Sequence, residues 1–264
     1  MEVLYADREL AVCVKPVGVD SEHQLPELLS QTLGGTFFTV HRLDMNVGGV
    51  MVFARTKPAA AALSKAIQEG AMVKEYVALV HGRPEETGDW TDLLFKDARK
   101  NKVFVVQRAR AGVKEARLTY RRLFAGEDAS LVRIRLYTGR SHQIRVQFSS
   151  RTFPLLGDHK YGARDALSQP MLYSCCLTFP WKGTSLRFEH LPGWADDARL
   201  RRIAAMEAAF DRRAPEDLPV LSAYMESGDW LRDYEADEAG MIPFALKRGV
   251  LSQDGLYNLL SGRQ

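Results

Sequence analysis

The sequence predicts an α+β protein in which a mixed or antiparallel sheet is followed by a C-terminal helical extension. Eight short runs rich in β-branched and aromatic residues fall within the first 190 residues, and such runs are typical of strands. Few helical segments separate them, whereas a doubly wound parallel sheet needs a crossover helix between successive strands. After residue 192 the composition changes to Ala, Arg and Glu, which favours helices.

In chain order, the predicted strands occupy residues 10–14, 49–54, 76–80, 102–106, 116–123, 131–137, 171–177 and 185–188. A helix is predicted between the second and third strands, where an Ala-rich stretch runs from Lys57 to Glu69. Pro58 stands in its first turn, which proline tolerates, and Gly70 follows as a natural C-terminal stop.

A second, shorter helix is predicted to begin at Ser141, because a serine hydroxyl can cap the first turn of a helix. Ile144 and Phe148 are four residues apart in this segment, so both would lie on one face of the helix. We expect that face to pack on the core.

The C-terminal part is predicted to form a small helical domain. An Ala-, Arg- and Glu-rich helix should run to about residue 213, where Ala214-Pro215 breaks it. Residues 216–238 contain eight acidic residues and one arginine, interleaved with Tyr224, Trp230 and Tyr234. Disordered acidic tails contain few aromatic residues, so packing is favoured. We therefore divide the chain into one domain over residues 1–200 and an extension over residues 201–264.

The composition excludes several classes of protein. Of the 264 residues, 46% are hydrophobic and 26% are charged, which is too apolar for a disordered chain. No apolar run approaches the roughly 20 residues of a membrane helix, and the first residues do not resemble a signal peptide, so we expect a cytoplasmic protein. Cys13, Cys175 and Cys176 have no metal-binding spacing, and we expect buried thiols without zinc.

The charge is unevenly distributed along the chain. Residues 96–151, called the basic segment below, contain 15 Lys or Arg against four Asp or Glu. A partner made of phosphates would explain this excess, because each Lys or Arg at a phosphate releases counterions. A solvated strand surface is an equally good explanation, since Arg133 and Arg135 alternate with apolar residues and would share one open face.

Four strings of residues occur in a fixed order. His41-Arg42-Leu43-Asp44 lies in a turn directly before a predicted strand, a place where catalytic groups are often presented. It is preceded by Lys15-Pro16-Val17-Gly18. The strings at residues 74–80 (KEYVALV) and 139–145 (GRSHQIR) follow it, and the latter leads into PLLGDHKYG at residues 154–162. Together they resemble the RluA-type RNA pseudouridine synthases over about residues 3–192.

The resemblance implies a mixed, largely antiparallel sheet with flanking helices and a central cleft. It implies an isomerase that converts uridine to pseudouridine within ribosomal or transfer RNA. Asp44 matches the catalytic aspartate of the family, Tyr76 its active-site tyrosine, and Arg145 the basic residue that pairs with the aspartate. Arg42 looks like the arginine that enters the RNA helix as the target base leaves it. Further substrate-binding residues implied by the same strings are His41, Arg140 and His142.

A carboxylate suits this chemistry because it can add to carbon or remove a proton, and the sequence does not choose between the two. Arg145 would keep Asp44 ionised in an apolar pocket, and Tyr76 offers a ring face and a hydroxyl. No metal, nucleotide or other cofactor is expected. The string Val47-Gly48-Gly49 departs from the Thr-Ser-Gly found in many members of the family.

Two rival functions remain at this point. One is a non-catalytic RNA-binding protein that retains the fold. The other is a nucleoside or glycoside hydrolase, although such enzymes use two carboxylates or a metal-bound water and the motif supplies one carboxylate. We expect a monomer whose partner is RNA rather than DNA or a membrane. About residues 216–260 resemble a small bacterial helical domain of unknown function.

Overall fold

Eleven strands and seven helices are present in a computed structural model, which describes residues 1–243 and 246–262. The strands are β1 Glu2–Ala6, β2 Leu10–Lys15, β3 Phe38–Thr39, β4 Gly48–Ala54, β5 Val73–His81, β6 Thr87–Asp97, β7 Lys102–Val106, β8 Val113–Ala125, β9 Ala129–Leu136, β10 Leu172–Trp181 and β11 Thr184–Glu189. The helices are α1 Gln24–Leu33, α2 Lys57–Gln68, α3 Gln143–Ser149, α4 Asp197–Arg212, α5 Leu218–Glu226, α6 Asp229–Glu238 and α7 Gln253–Leu260.

All eleven strands form one sheet, in the order β1-β2-β4-β10-β5-β9-β8-β6-β7, with β11 paired to β10 and β3 paired to β4. Every strand pair described is antiparallel except β4 with β10, which is parallel. The α+β class and the mixed, largely antiparallel sheet are therefore confirmed.

The parallel pair brings two distant segments into close contact. Gly49 has a φ of +125°, and a Cβ atom placed on it would lie 2.2 Å from the carbonyl oxygen of Ser174. Only glycine fits here, because the strand of Ser174 passes where a side chain would stand. Ser174 also donates its hydroxyl to the carbonyl of Val50 at 3.1 Å. Val47 and Gly48 stand where many members of the family have hydroxyl residues, whereas the glycine that this close approach requires is kept as Gly49.

Helices cover both faces of the sheet. On the face that carries the cleft, α1 and α3 contribute Leu25 and Phe148 to an apolar cluster that includes Tyr120 and Ile134 of the sheet. On the opposite face, α2 packs on β4 and β10, and Leu63 of α2 is completely buried there. Because successive strand residues point to opposite faces, the two cores are built from alternate positions of the same strands.

The predicted helix at residues 57–69 is confirmed, with Thr56 as its N-cap residue and its hydroxyl oxygen accepting from the Ala59 amide at 3.3 Å. The predicted start of α3 is wrong. The helix begins at Gln143, and His142 occupies the cap position in a left-handed conformation, so the Ser141 hydroxyl does not cap it. Its inward face is as predicted, since Ile144 and Phe148 are buried.

The extension forms a packed helical unit, as its aromatic residues predict. Tyr224 and Trp230 are buried, and they share a cluster with Leu200 and Ile203 of α4 and with Val77 of the sheet. Residue 200, the predicted domain boundary, lies inside α4. The three cysteines are free and buried, as predicted. Over residues 1–243 and 246–262, no helix is long and apolar enough to cross a bilayer.

Candidate active site

The turn that carries Asp44 is anchored from below by Lys15. This lysine is completely buried, and its ammonium donates to the carbonyls of Val19 at 2.7 Å, Pro16 at 2.9 Å and Met45 at 3.1 Å. Burial lowers the pKa of Lys15 to about 8, against an opposing effect of nearby carboxylates including Asp44. The three carbonyls satisfy the hydrogen-bonding capacity of the buried ammonium. The bond to Met45 connects the residue after Asp44 to strand β2.

His41 anchors the same turn from the other end. Its Nε2 accepts a hydrogen bond from the Val52 amide at 3.2 Å, which places the ring proton on Nδ1. Burial holds the pKa of His41 well below its usual value, and Lys74 adds to the effect. His41 is therefore neutral at neutral pH and fixes the position of the turn on β4.

Arg145 reaches the site from the first turn of α3. Its Nε and Nη2 each donate to a different oxygen of Asp158 at 2.7 Å, in a bidentate pair whose members are almost completely buried. Its Nη1 lies 3.4 Å from Asp44 Oδ2. The predicted pairing of Arg145 with Asp44 is present, but the shorter contacts are with Asp158, which holds the guanidinium in place.

Asp44 presents its two oxygens to different environments. Oδ2 faces Arg145 and, at 3.8 Å, Nε2 of His142. Among the residues that the structure describes, Oδ1 has no hydrogen-bond partner, and about a quarter of the side chain is exposed. A carboxylate oriented through one oxygen and open at the other can react with a bound molecule.

Tyr76 lies beside Asp44 on β5, with only 7% of the residue exposed. Burial raises the pKa of its hydroxyl, and the carboxylate of Asp44 raises it further. The phenol therefore stays protonated at neutral pH. It offers a hydrogen-bond donor and a ring at the wall of the cleft.

Two adjoining depressions of about 510 and 590 Å³ open above Asp44 and share a wall. Each is large enough for a nucleotide, since ligand pockets commonly span about 300–1,000 Å³. One depression is lined by every residue predicted for the site: His41, Arg42, Asp44, Tyr76, Arg140, His142 and Arg145. The structure thus brings together residues that are separated by up to 104 positions in the sequence.

The two outer arginines are at the surface of this cleft. Arg42 is about half exposed, and its Nη1 donates to Glu22 Oε2 at 3.0 Å. Arg140 is exposed and donates through Nε to the Glu115 carbonyl at 2.8 Å. Solvent-exposed contacts of this kind contribute little energy, so both side chains can exchange them for contacts with a ligand.

Sequence reasoning missed two residues of the site. The sequence analysis assigns no role to Asp158 or Tyr161, yet Asp158 is the main partner of Arg145 and the Tyr161 hydroxyl lies 2.8 Å from Nδ1 of His142. Their only sequence signal is membership in the string at residues 154–162. The spacing of residues along the sequence does not predict that this loop contacts helix α3, which begins at Gln143.

The basic segment is divided between the two faces of the sheet. Lys96 lines the cleft beside Asp44. Arg133 and Arg135 share the opposite face, as the alternation predicts, and Arg133 is paired with Glu75 at 3.0 Å and Glu189 at 2.7 Å. Charge that is contiguous in the sequence is therefore not one surface.

No group of three or more His, Cys, Asp or Glu side chains is arranged to hold a metal ion within residues 1–243 and 246–262. Within the cleft, the guanidinium of Arg145 contacts Asp44 and Asp158 through different nitrogens and so lies between the two carboxylates.

Comparison with known proteins gives a consistent result. Residues 9–150 match the RNA pseudouridylate synthase family, and residues 203–264 match a domain of unknown function (DUF4298). A protein named ribosomal large subunit pseudouridine synthase D from Zymomonas mobilis is 29% identical, over 84% of this chain and 71% of its own length. A protein of the same name from Vibrio parahaemolyticus is 32% identical over 76% of this chain. The chain spans only 58% of that relative.

The fold is shared with a solved structure. Human RNA Pseudouridylate Synthase Domain Containing 4 superimposes with a TM-score of 0.64 and 26% identity, over 76% of this chain and 92% of the human chain. The family match covers just over half of the residues and includes Asp44, Tyr76 and Arg145. This chain therefore belongs to the RNA pseudouridylate synthase family.

Proposed function

We propose that this protein isomerises a uridine in RNA and that Asp44 is the reacting carboxylate. The observation that carries the proposal is the asymmetry of Asp44, which lines the cleft: Oδ2 faces Arg145 at 3.4 Å, while Oδ1 has no partner among the described residues. Such a carboxylate is oriented through one oxygen, and its other oxygen is not used in a hydrogen bond among the described residues.

The reaction breaks the bond from C1′ of the ribose to N1 of uracil and forms a bond from C1′ to C5. The base rotates between the two steps, C5 loses its proton, and N1 gains one, so that the product is an isomer of the substrate. Asp44 either adds to a carbon of the nucleotide or removes a proton from it. In both cases Arg145 stabilises the carboxylate and Asp158 holds Arg145 in place.

Tyr76 and Arg42 provide the environment for the extruded base. The buried, protonated Tyr76 supplies a ring for stacking and a donor for a uracil carbonyl. Arg42 is exposed at the rim, and its planar guanidinium can occupy the space that the base leaves in the RNA. His41, Arg140 and His142 complete the substrate-binding wall.

We propose ribosomal large-subunit RNA as the substrate class, because relatives from two organisms carry that activity in their names. Transfer RNA is the alternative. We further propose that residues 1–200 carry the reaction, that residues 201–264 are a separate helical domain, and that the protein acts as a cytoplasmic monomer without a cofactor.

Asp44→Asn tests the proposal, because it keeps the shape of the side chain and removes its charge. The substrate is RNA labelled with tritium at C5 of uridine, taken from cells that lack this protein. We expect wild-type protein to release tritium and Asp44→Asn to release only background. Asp89→Asn is the matched control, since Asp89 is exposed and pairs with Arg117 on the opposite face of the sheet.

Retained turnover by a folded Asp44→Asn protein would remove Asp44 from the mechanism. If wild-type protein binds the RNA with no tritium release, the protein is an RNA-binding member of the family without activity. Sequencing the pseudouridines in RNA from cells with and without the protein then identifies the modified position.

A further inference from the structure

Tyr161 connects the candidate active site to the β6–β7 hairpin. It ends a short 3-10 turn, His159–Tyr161, and is 5% exposed. Its hydroxyl oxygen accepts a hydrogen bond from the Val103 amide of β7 at 2.9 Å, and it lies 2.8 Å from Nδ1 of His142.

The direction of the second hydrogen bond follows from the partners available to the phenol. The Val103 amide can only donate, so the phenol oxygen accepts there and its single proton needs an acceptor. Among the residues that the structure describes, Nδ1 of His142 is the only acceptor within hydrogen-bond distance of this hydroxyl, so Nδ1 is unprotonated. In a neutral imidazole the remaining proton is then on Nε2. Burial lowers the pKa of His142, so the neutral ring predominates at neutral pH.

The protonated Nε2 faces the candidate catalytic group. It lies 3.8 Å from Asp44 Oδ2, which is the oxygen that Arg145 also approaches. This distance is longer than a hydrogen bond, and catalytic contacts of this kind commonly shorten in the substrate complex. A donor from His142 would reinforce the arrangement that leaves Oδ1 open.

The backbone supports a specific role for this histidine. His142 has a φ of +50°, in the left-handed region that costs energy for a residue other than glycine. Strained residues of this kind persist where the surrounding structure holds them, and they cluster at functional sites. Here the ring of His142 packs edge-on against Tyr161, with centroids 5.7 Å apart.

We propose that Tyr161 is a positioning residue for the reaction: anchored by the Val103 amide, its hydroxyl fixes His142 in the Nε2–H tautomer and so directs a hydrogen-bond donor at Asp44 Oδ2. The inference rests on the proposed function. Tyr161 also connects this site to a residue that can bind RNA. Its partner Val103 on β7 is paired with Lys96 on β6, and Lys96 lines the cleft.

The test uses Tyr161→Phe, His142→Asn and the double variant in the full chain. Asparagine tolerates the left-handed backbone, and phenylalanine keeps the ring that packs on His142. Tyr173→Phe is the matched control, because Tyr173 is buried and its hydroxyl lies 2.6 Å from Nδ1 of His190, outside both depressions. The readouts are the single-turnover rate at saturating RNA and the ¹⁵N shifts of the His142 ring.

We expect the wild-type shifts to report a protonated Nε2 and Tyr161→Phe to shift the ring toward a mixture of tautomers. The rate should fall about 3- to 10-fold, the size expected for one lost hydrogen bond. In the His142→Asn background, Tyr161→Phe should cause no further loss. Tyr173→Phe should leave the rate unchanged.

Three results would overturn the proposal: a proton on Nδ1 in the wild-type protein, unchanged shifts in Tyr161→Phe, or losses that multiply in the double variant. The wild-type shifts decide the matter even if Tyr161→Phe does not fold. Absence of turnover in wild-type protein would instead refute the proposed function, and the tautomer would still be measured.

Discussion

Burial keeps two ionisable side chains beside Asp44 neutral, and it shifts their pKa values in opposite directions. Burial raises the pKa of the Tyr76 hydroxyl and lowers the pKa of the His41 ring, because in both cases the charged form loses hydration. Tyr76 and His41 therefore act beside Asp44 as a neutral donor, a neutral acceptor and packing surfaces.

The pKa of His41 leads to a prediction about acid stability. Below about pH 6.5 the unfolded chain protonates His41 while the folded protein does not, so the unfolded state binds more protons and stability falls as pH falls. His41→Gln keeps an acceptor for the Val52 amide but does not titrate. The unfolding free energy of wild-type protein should lose about 1 kcal/mol per pH unit relative to this variant between pH 6 and 5.

Urea denaturation of both proteins at pH 8, 7, 6 and 5 measures this difference. Other histidines titrate in both proteins and cancel. Parallel curves at all four pH values would show that His41 is protonated in the folded protein, in conflict with its burial.

Five residues of the site differ in how far their roles could be predicted from the sequence. All five lie within strings that match a family pattern, but the resemblance assigns roles only to Asp44, Tyr76 and Arg145. Asp158 and Tyr161 act through contacts with Arg145 and His142 made only after the chain has folded. A loop aspartate and a loop tyrosine have many ordinary roles, so their residue type alone carried no signal.

At the scale of elements, strand alternation decides which charges face RNA. Three residues are in register on the cleft face of β5, β9 and β8: Tyr76, Ile134 and Tyr120. The next pair along β5 and β9, Glu75 with Arg135, points to the opposite face of the sheet. A sum of charge along the sequence combines the two faces, which is why the basic segment could not be resolved into a binding surface beforehand.

Lys96 and Arg121 test this division. Lys96 lines the cleft, while Arg121 is exposed on the opposite face in register with Arg133. We expect Lys96→Ala to weaken RNA binding and to reduce the slope of log affinity against log salt by about 0.7 to 0.9, the contribution of one phosphate. Arg121→Ala should change neither quantity.

Fluorescence anisotropy with labelled RNA at four salt concentrations measures both slopes. Equal effects of the two substitutions would mean that RNA contacts both faces of the sheet, or that the attraction comes from net charge alone.

The elements that the sequence did not predict have weak local patterns. The eleven residues of β6 include Gly88, Asp89 and Asp92, which disfavour strands. The short helix α1 contains Pro26 and buries only Leu25 and Leu29. Both are stabilised by tertiary packing, which cannot be predicted from neighbouring residues in the sequence. In contrast, β4 is buried along its whole length, and its apolar run predicts a strand.

At the scale of the whole molecule, the C-terminal helices pack on the sheet face opposite to the cleft. Leu200 and Ile203 of α4 lie in one buried cluster with Trp230 and with Val77 of β5. Arg202 donates to both oxygens of the completely buried Asp233. The described part of the extension thus stabilises the sheet from the opposite face, and none of its residues lines the depressions above Asp44.

Ending the chain after Ala214 tests this arrangement. The cut leaves α4 but removes Tyr224, Trp230 and Asp233, so we expect a melting temperature lower by at least about 5 °C, since several large buried side chains are lost. The single-turnover rate below that temperature should equal that of the full chain. Loss of turnover with an unshifted melt would place part of the reaction in the extension.

The pairing of β4 with β10 has a consequence for the timing of activity during protein synthesis. Ser174 and Val50 are 124 residues apart, yet β10 is the neighbour that completes the sheet beside the Asp44 turn. A nascent chain that has reached only α3 already holds Asp44, Tyr76 and Arg145 but lacks both Asp158 and the strand against which Gly49 packs. The cleft is therefore assembled only after Leu172–Trp181 has left the ribosome, and we expect a nascent chain that has not yet released this strand to be inactive on RNA.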